Sequence, residues 1–456
     1  MWRHLSRCLA LALLLSCSSA LCTRTSKASR GTHGYLLPIL RAGPNNQLRH
    51  LRFLLALAKQ LNRTLVWTGI KKHYTDRTTR FHKGQPPAPP PHPAPPAPAG
   101  SARDSLAPVP PRPRCFREVV PDFIQLSEVL DRRHVEGFVD VITPDELRAE
   151  GWDGVVDALL YPHCSYTLPA LLPYLSMTLQ ASGGVMHPDT AQLDSRNHLR
   201  CDPQEFRDLA LKLRPHTVVV SMLVLVAGGE MVDLAADAQQ PRPPLPGCWQ
   251  DLWEAKRRLR GNLWLRSLAT VWAQRFLGPA AYLALHIRPQ SDVCINYWKA
   301  RKFEVALMWA DGACWRGHED LHLTFAARTR AALLRHNLTS LFVMAHPKIR
   351  PFVSEQLLKE GLRPTFMDET QLAGLAGCSD RSSTFLALVE MQVAVHASML
   401  LGTAASSITE TVVYERLSLG MTSNEYVDRP HSPRPPPRHP PAPPPGPSSA
   451  EQHSRG

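Results

Sequence analysis

Apolar residues recur along this chain in two patterns, short unbroken runs and longer stretches spaced by three or four. Tyr35-Leu36-Leu37-Pro38-Ile39-Leu40 is a run of the first kind, with the length and bulk of a buried strand. Leu48, Leu51, Leu54, Leu55, Ala58 and Leu61 follow at helical spacing, and Thr64-Leu65-Val66-Trp67 reads as the next strand. The predicted unit is strand, loop, helix, strand, with Arg41-Ala42-Gly43-Pro44-Asn45-Asn46-Gln47 as its loop. Further strands are expected at Gly137 to Ile142 and Thr217 to Ser221. Past Trp249 the alternation becomes more regular. Helices at Trp253 to Phe276, Phe325 to His336 and Ser382 to Ala397 precede strands at Tyr282 to Ile287, Ser340 to Ala345 and Ser398 to Gly402. A last helix spans Ile408 to Arg416. Strands alternating with helices predict an α/β protein with parallel, Rossmann-like sheets.

Two segments break these patterns. Many of the 43 prolines concentrate in Gly84 to Arg114 and Arg429 to Gly456, where neither helix nor central strand can persist. Setting them aside leaves two α/β stretches, 34–232 and 249–427, joined by a connector at Pro241 to Pro246. A chain of 456 residues can bury a separate core in each.

The first residues change the compartment. Arg3 and Arg7 precede an apolar run from Cys8 to Leu15 and the small residues Ser18, Ser19 and Ala20. This predicts a secretory signal over 1–20, cut after Ala20, or the same segment kept as a Golgi signal anchor. Later apolar runs such as Val218 to Gly228 are too short to span a bilayer, and the final residues carry no ER-retention tetrapeptide. Of ten cysteines, Cys8 and Cys17 leave with the leader, and an even number remains for disulfides in an oxidising lumen. Cys294 with Cys314 is the most local pair. Asn62-Arg63-Thr64 and Asn337-Leu338-Thr339 are glycosylation sequons. The net charge of +13 comes from scattered basic residues rather than runs, which argues against nucleic-acid binding and fits an anionic ligand, acceptor or matrix.

Candidate chemistry gathers at strand ends. The loop around Gly43, Asn45 and Asn46 opens a helix, where backbone N–H groups and the dipole suit phosphate. His286 and Arg288 stand two residues apart at the end of a strand, hence on one face, in His286-Ile287-Arg288-Pro289-Gln290-Ser291-Asp292. A guanidinium there can neutralise a leaving diphosphate, or pair with Asp292 as a salt bridge. Ser406 or Ser407 is expected to cap the following helix, with Glu410 completing a capping box, and the same end can hold a diphosphate. Glu390 sits among apolar neighbours in Leu388-Val389-Glu390-Met391. It can accept from guanine N1–H and N2–H₂, pair with an arginine, or face solvent.

Together these segments resemble the GDP-fucose protein O-fucosyltransferase family. Gly43-Pro44-Asn45-Asn46-Gln47 with Leu61-Asn62-Arg63-Thr64-Leu65 is similar to its N-terminal motif. His286-Ile287-Arg288 with Asp292 is similar to the central one, and Ser406-Ser407 with Arg416 to the C-terminal one. The resemblance spans roughly Gly34 to Pro430, the proline-rich insertion apart. It implies a GT-B fold, two Rossmann-like domains facing a cleft, and inverting transfer of fucose from GDP-fucose to a Ser or Thr hydroxyl without a required metal or other cofactor. Carried over, Gly43, Asn45, Asn46, His286, Arg288, Glu390, Ser406 and Ser407 would line the donor site. Arg288 would stabilise departing GDP, and Asp292 would stand with it as the second catalytic group. The expected setting is the endoplasmic reticulum or Golgi lumen, with a protein or glycan acceptor.

Some positions depart from the family. The loop lacks the Glu that one branch uses as general base, which leaves Asp292, a water, or no strong base. Val293 stands where many members have Trp, and Ala345-His346-Pro347 where many have Thr-Asp. A non-catalytic relative that binds GDP or a glycan is the competing expectation.

Overall fold

The structure is a computed structural model. It describes residues 34–40, 43–72, 123–160, 176, 178–194, 198–199, 202–214, 216–221, 224–225, 247–288, 321–376, 383–404 and 406–427. The leader, both proline-rich tracts, Asp292, Val293, Cys294 and Cys314 lie outside the described residues.

In the N-terminal half, β1 (Tyr35–Pro38) leads into α1 (Pro44–Gln60) and β2 (Thr64–Val66). An antiparallel pair, β3 (Gly69–Lys71) with β4 (Phe123–Gln125), stands apart. Next come β5 (Val141–Ile142), α2 (Pro144–Ala149), β6 (Val155–Leu160), β7 (Val185–Asp194), β8 (His198–Leu199), α3 (Pro203–Leu213), β9 (Val218–Ser221) and β10 (Val224–Leu225). Six strands form one sheet in the order β5-β2-β1-β9-β6-β7, with every neighbouring pair parallel.

The C-terminal half contains α4 (Cys248–Lys256), α5 (Leu263–Phe276), β11 (Tyr282–Ile287), α6 (Leu321–Arg335), β12 (Ser340–Ala345), α7 (Arg350–Lys359), β13 (Pro364–Thr365), α8 (Glu369–Ala376), α9 (Ser383–His396), β14 (Met399–Gly402), α10 (Ser407–Ser418) and β15 (Asn424–Tyr426). Its five strands run parallel in the order β13-β12-β11-β14-β15. In each sheet the earliest strand lies near the middle and later strands are laid to either side of it, which makes β1/β9 and β11/β14 switch points in strand order. Open α/β sheets bind ligands at such switch points, beyond the carboxyl ends of the strands.

Several sequence expectations need correction. The segment from Gly137 does not form a strand as far as Ile142. Gly137 and Phe138 close a short helix, and only Val141 and Ile142 pair with β2. The helix expected from Trp253 to Phe276 is two helices, because Asn262 caps a new start by accepting from the Leu265 amide at 2.9 Å. At the break, Gly261 bridges to Leu130, and a Cβ on it would run into Gln392. The first turn of α1 already contains Asn45, Asn46 and Gln47, which were expected in the loop.

Buried arginines tie each sheet at the amino ends of its strands. Arg63 donates to the carbonyls of Leu213 at 2.6 Å and His216 at 2.8 Å, and reaches those of Tyr35 and Thr217. Arg416 does the same for the second sheet, donating to Val395 at 2.9 Å, Ser423 at 3.1 Å and the Asn424 side chain at 2.6 Å, and also to Ala397. Burial lowers both guanidinium pKa values to about 10, so both stay charged at neutral pH. Cys248, buried at the head of α4, is disulfide-bonded. Asn62 and Asn337, the sequon asparagines, both end helices in the left-handed conformation (φ 51° each) and are exposed.

The halves share a seam. α1, α4 and α10 meet there, with Trp253 edge-on to Tyr414 at 5.8 Å and Lys256 donating to the Tyr414 hydroxyl at 2.9 Å. From α1, Arg52 donates to the Lys256 carbonyl at 3.0 Å and to the Thr411 hydroxyl at 3.1 Å. One apolar cluster runs through the seam from Leu36 and Leu65 of the first sheet to Ala284 and Leu400 of the second. No helix among the described residues is long and apolar enough to cross a membrane.

Candidate active site

The site begins with the strand end Leu285-His286-Ile287-Arg288. β11 is buried throughout, between β12 and β14, and His286 pairs in register with Gly402. The chain then leaves β14 through Thr403. Its amide and hydroxyl both donate to the His286 carbonyl, at 3.1 and 2.8 Å, and the hydroxyl oxygen accepts from the Arg288 amide at 3.0 Å. These bonds fix the backbone from which the half-buried Arg288 projects, at the mouth of the switch point.

His286 and Arg288 come together as the alternation predicts. The imidazole is buried, with Nδ1 against the Thr409 hydroxyl at 2.8 Å. Burial, and secondarily the charge of Arg288, push its pKa down to about 3. His286 is therefore a neutral packing and hydrogen-bonding group at physiological pH. The unfolded chain gains a proton below about 6.5 while the folded chain does not, so the stabilisation is complete above 6.5 and is lost as pH falls toward 3. At pH 5 the loss amounts to about 2 kcal/mol. His286→Gln is expected to flatten this part of the stability–pH curve, measured by urea unfolding from pH 7.5 to 4.5; an unchanged acid slope would refute the assignment.

Thr409 and Gly402 were missed by sequence reading. A Cβ on Gly402 would run into Cγ2 of Thr409, so the glycine is what lets α10 start against the strand. Gly402→Ala is expected to displace the head of α10 and cost roughly 1–3 kcal/mol. Thermal unfolding with and without GDP checks this, the variant melting lower and responding less to nucleotide.

The head of α10 differs from expectation. Ser406 occupies the N-cap position but makes no capping bond, and no capping box forms. With Ser406 as cap, Thr409 rather than Glu410 holds the third position that a box requires. Glu410 instead pairs with Arg49 of α1 at 3.3 Å. The Ser406 hydroxyl oxygen is buried and has no partner among the described residues. Ser407 is buried beside it.

α1 runs alongside α10, because Arg49–Glu410 and Arg52–Thr411 bind its second and third turns to the start of α10. Gly43 takes the cap position of α1 with Pro44 following, and no side chain caps it. The Asn45 side-chain oxygen is buried and has no partner among the described residues. Asn46 is half-buried in the same turn. Gln47 braces the turn instead: its amide exchanges bonds with the Lys71 backbone at 2.8 and 2.7 Å. Both helices start with first-turn amides that lack intrahelical partners.

Glu390 is on α9, further along the same sheet edge. Its carboxylate is buried and paired with Arg350 of α7 at 2.9 Å, the arginine alternative among the three readings. Burial raises the carboxyl pKa to about 7, opposed by Arg350.

No protein-family profile matches the chain, and no curated protein matches it in sequence. Solved structures do share its architecture. A crystal structure of POFUT1 in complex with GDP superposes with a TM-score of 0.52 at 12% identity, covering 86% of this chain and 98% of that chain. POFUT1 in complex with GDP-fucose gives 0.52 and 12%, with 88% and 99% covered. The chain has the GT-B fold. A mutant of Arabidopsis thaliana FUT1 in complex with GDP matches at 0.38 and 9% identity, covering 88% of this chain and 71% of that chain.

Proposed function

We propose that this chain is an inverting glycosyltransferase that moves fucose from GDP-fucose to a Ser or Thr hydroxyl of a protein in the endoplasmic reticulum or Golgi lumen. The observation that carries the reading is Arg288 at the switch point of the second sheet, pinned through Thr403 to the chain that leads into the uncapped head of α10, where the Ser406 hydroxyl has no partner among the described residues. A nucleoside diphosphate is an anion that such a site can hold. The GDP and GDP-fucose complexes of POFUT1, on the same fold, support that choice of ligand.

In this reading the acceptor oxygen attacks the anomeric carbon from the face opposite the diphosphate. The bond from that carbon to the β-phosphate oxygen breaks, and the electron pair leaves with GDP. Arg288 and the helix heads stabilise the charge that grows on the phosphate, so no metal is required for it. Asp292 or a water takes the acceptor proton. Ser406 and Ser407 bind the diphosphate, Asn46 contacts sugar hydroxyls with Gly43 and Asn45 shaping the turn, and Glu390 accepts from the guanine edge.

The test is thermal stabilisation of the secreted protein by GDP, GDP-fucose, GDP-mannose, UDP and ADP. At roughly 100 times the dissociation constant a ligand adds about 2.7 kcal/mol. Stabilisation by guanine nucleotides alone is expected. A folded protein indifferent to all five would rule out the donor site.

A further inference from the structure

The pair Arg350–Glu390 is more than a buried ion pair. Arg350 opens α7 just past the carboxyl end of β12, and its guanidinium is bonded in three directions. It donates to the Ala345 carbonyl at 3.1 Å, the Met367 carbonyl at 2.6 Å and Oε1 of Glu390 at 2.9 Å. Phe366 packs against its plane, 5.4 Å from the ring centre. The head is therefore held by the ends of two strands and cannot swing away with its partner. On Glu390, Oε2 takes no hydrogen bond among the described residues, and the side chain keeps 10% of its surface open. A carboxylate has about four lone-pair sites, so one arginine bond leaves capacity for more.

We propose that Arg350 is a positioning residue that holds the Glu390 carboxylate ionised and oriented for the guanine edge of the donor. The inference rests on the donor reading above. Guanine presents N1–H and N2–H₂, two parallel donors that an ionised carboxylate accepts with both oxygens, and a protonated carboxyl would offer a competing donor in place of one acceptor. Burial alone drives this carboxyl toward the protonated form, and Arg350 is the charge that opposes it. Asp368, in the loop before α8, faces Arg350 and is itself held below its ordinary range, mainly by bonds from Thr370 and Gln371. Asp368 therefore stays anionic while Glu390 titrates.

The experiment is the affinity for GDP between pH 5.5 and 8.5, by calorimetry, for the parent, Arg350→Met, Arg350→Lys and Glu390→Gln. The parent is expected to lose affinity below pH 7. In Arg350→Met the inflection should move up by at least one pH unit, with affinity at pH 7 reduced about fivefold or more. Glu390→Gln should bind weakly at every pH. If Arg350→Met does not fold, Arg350→Lys decides, its inflection lying above the parent's. A substituted protein with the parent's profile, or with tighter GDP binding, would overturn the proposal while leaving the donor site standing. Absence of GDP binding by the folded parent would instead overturn the donor reading itself, and this inference with it.

Discussion

Replacing Arg288 with alanine is expected to lower turnover of GDP-fucose roughly 1000-fold while leaving the protein folded. Removing one preorganised donor to a developing charge costs on the order of 100- to 1000-fold in rate, and an arginine on a transferring or departing phosphate tends to the upper end. Arg288 qualifies on geometry. It follows a buried strand at a switch point, and its amide is pinned to Thr403, so the guanidinium projects from a fixed base. Its side chain is half-buried, and truncation leaves a gap that water can fill, which is why stability should change little. Arg288→Lys keeps the charge but not the fork, and should recover only part of the rate. GDP release from GDP-fucose, with water as default acceptor, measures all three proteins. An Arg288→Ala rate within threefold of the parent would remove Arg288 from the chemistry.

The chemistry at the strand ends was legible for a physical reason. A central parallel strand is buried on both faces, so it appears as an unbroken apolar run, and Tyr282 to Ile287 could be read to the residue. Whatever polar residue ends such a run stands at the carboxyl edge, where ligands bind, and this marks His286 and Arg288. β6 was missed because Asp157 interrupts Val155 to Leu160. Its carboxylate accepts from the Thr217 and Val218 amides at 2.8 and 2.7 Å, a pairing that local sequence does not display. The sequence left Ser406 and Ser407 both open as the cap with Glu410 in the box, because cap signatures tolerate a shift of one residue; with Ser406 as the cap the box does not form. Least legible was everything joining distant segments. Arg52 meets Thr411 across 359 residues, and Glu390 meets Arg350 across 40, so the composition of either neighbourhood alone names no partner. The central histidine shows the converse. The resemblance implied a place for it in the donor pocket, and what the structure adds is a buried, neutral imidazole against the Thr409 hydroxyl.

Arg416 gives the largest expected effect on stability. It belongs to the same C-terminal segment as Ser406 and Ser407, and sequence alone cannot separate a ligand-binding arginine from a structural one. The structure puts it at the opposite, amino edge of the sheet, fully buried, with its donors spent on α9, the turn into β14 and the approach to β15. Arg416→Met should therefore cost about 4 kcal/mol, because it removes the cation and leaves several buried carbonyl groups without donors. That is a large fraction of the 5–15 kcal/mol that typically separates folded from unfolded domains. Arg416→Lys should rescue little, since one ammonium cannot reach acceptors arranged around a planar fork. Arg335→Ala serves as a comparison. Arg335 pairs with Glu425 at 3.1 Å on the surface, and loss of such a pair costs under about 1 kcal/mol. Urea unfolding followed by tryptophan fluorescence, with GDP absent, separates the cases. A midpoint for Arg416→Met close to that of Arg335→Ala would show that the second sheet does not depend on this clamp, and would return Arg416 to the candidates for ligand binding.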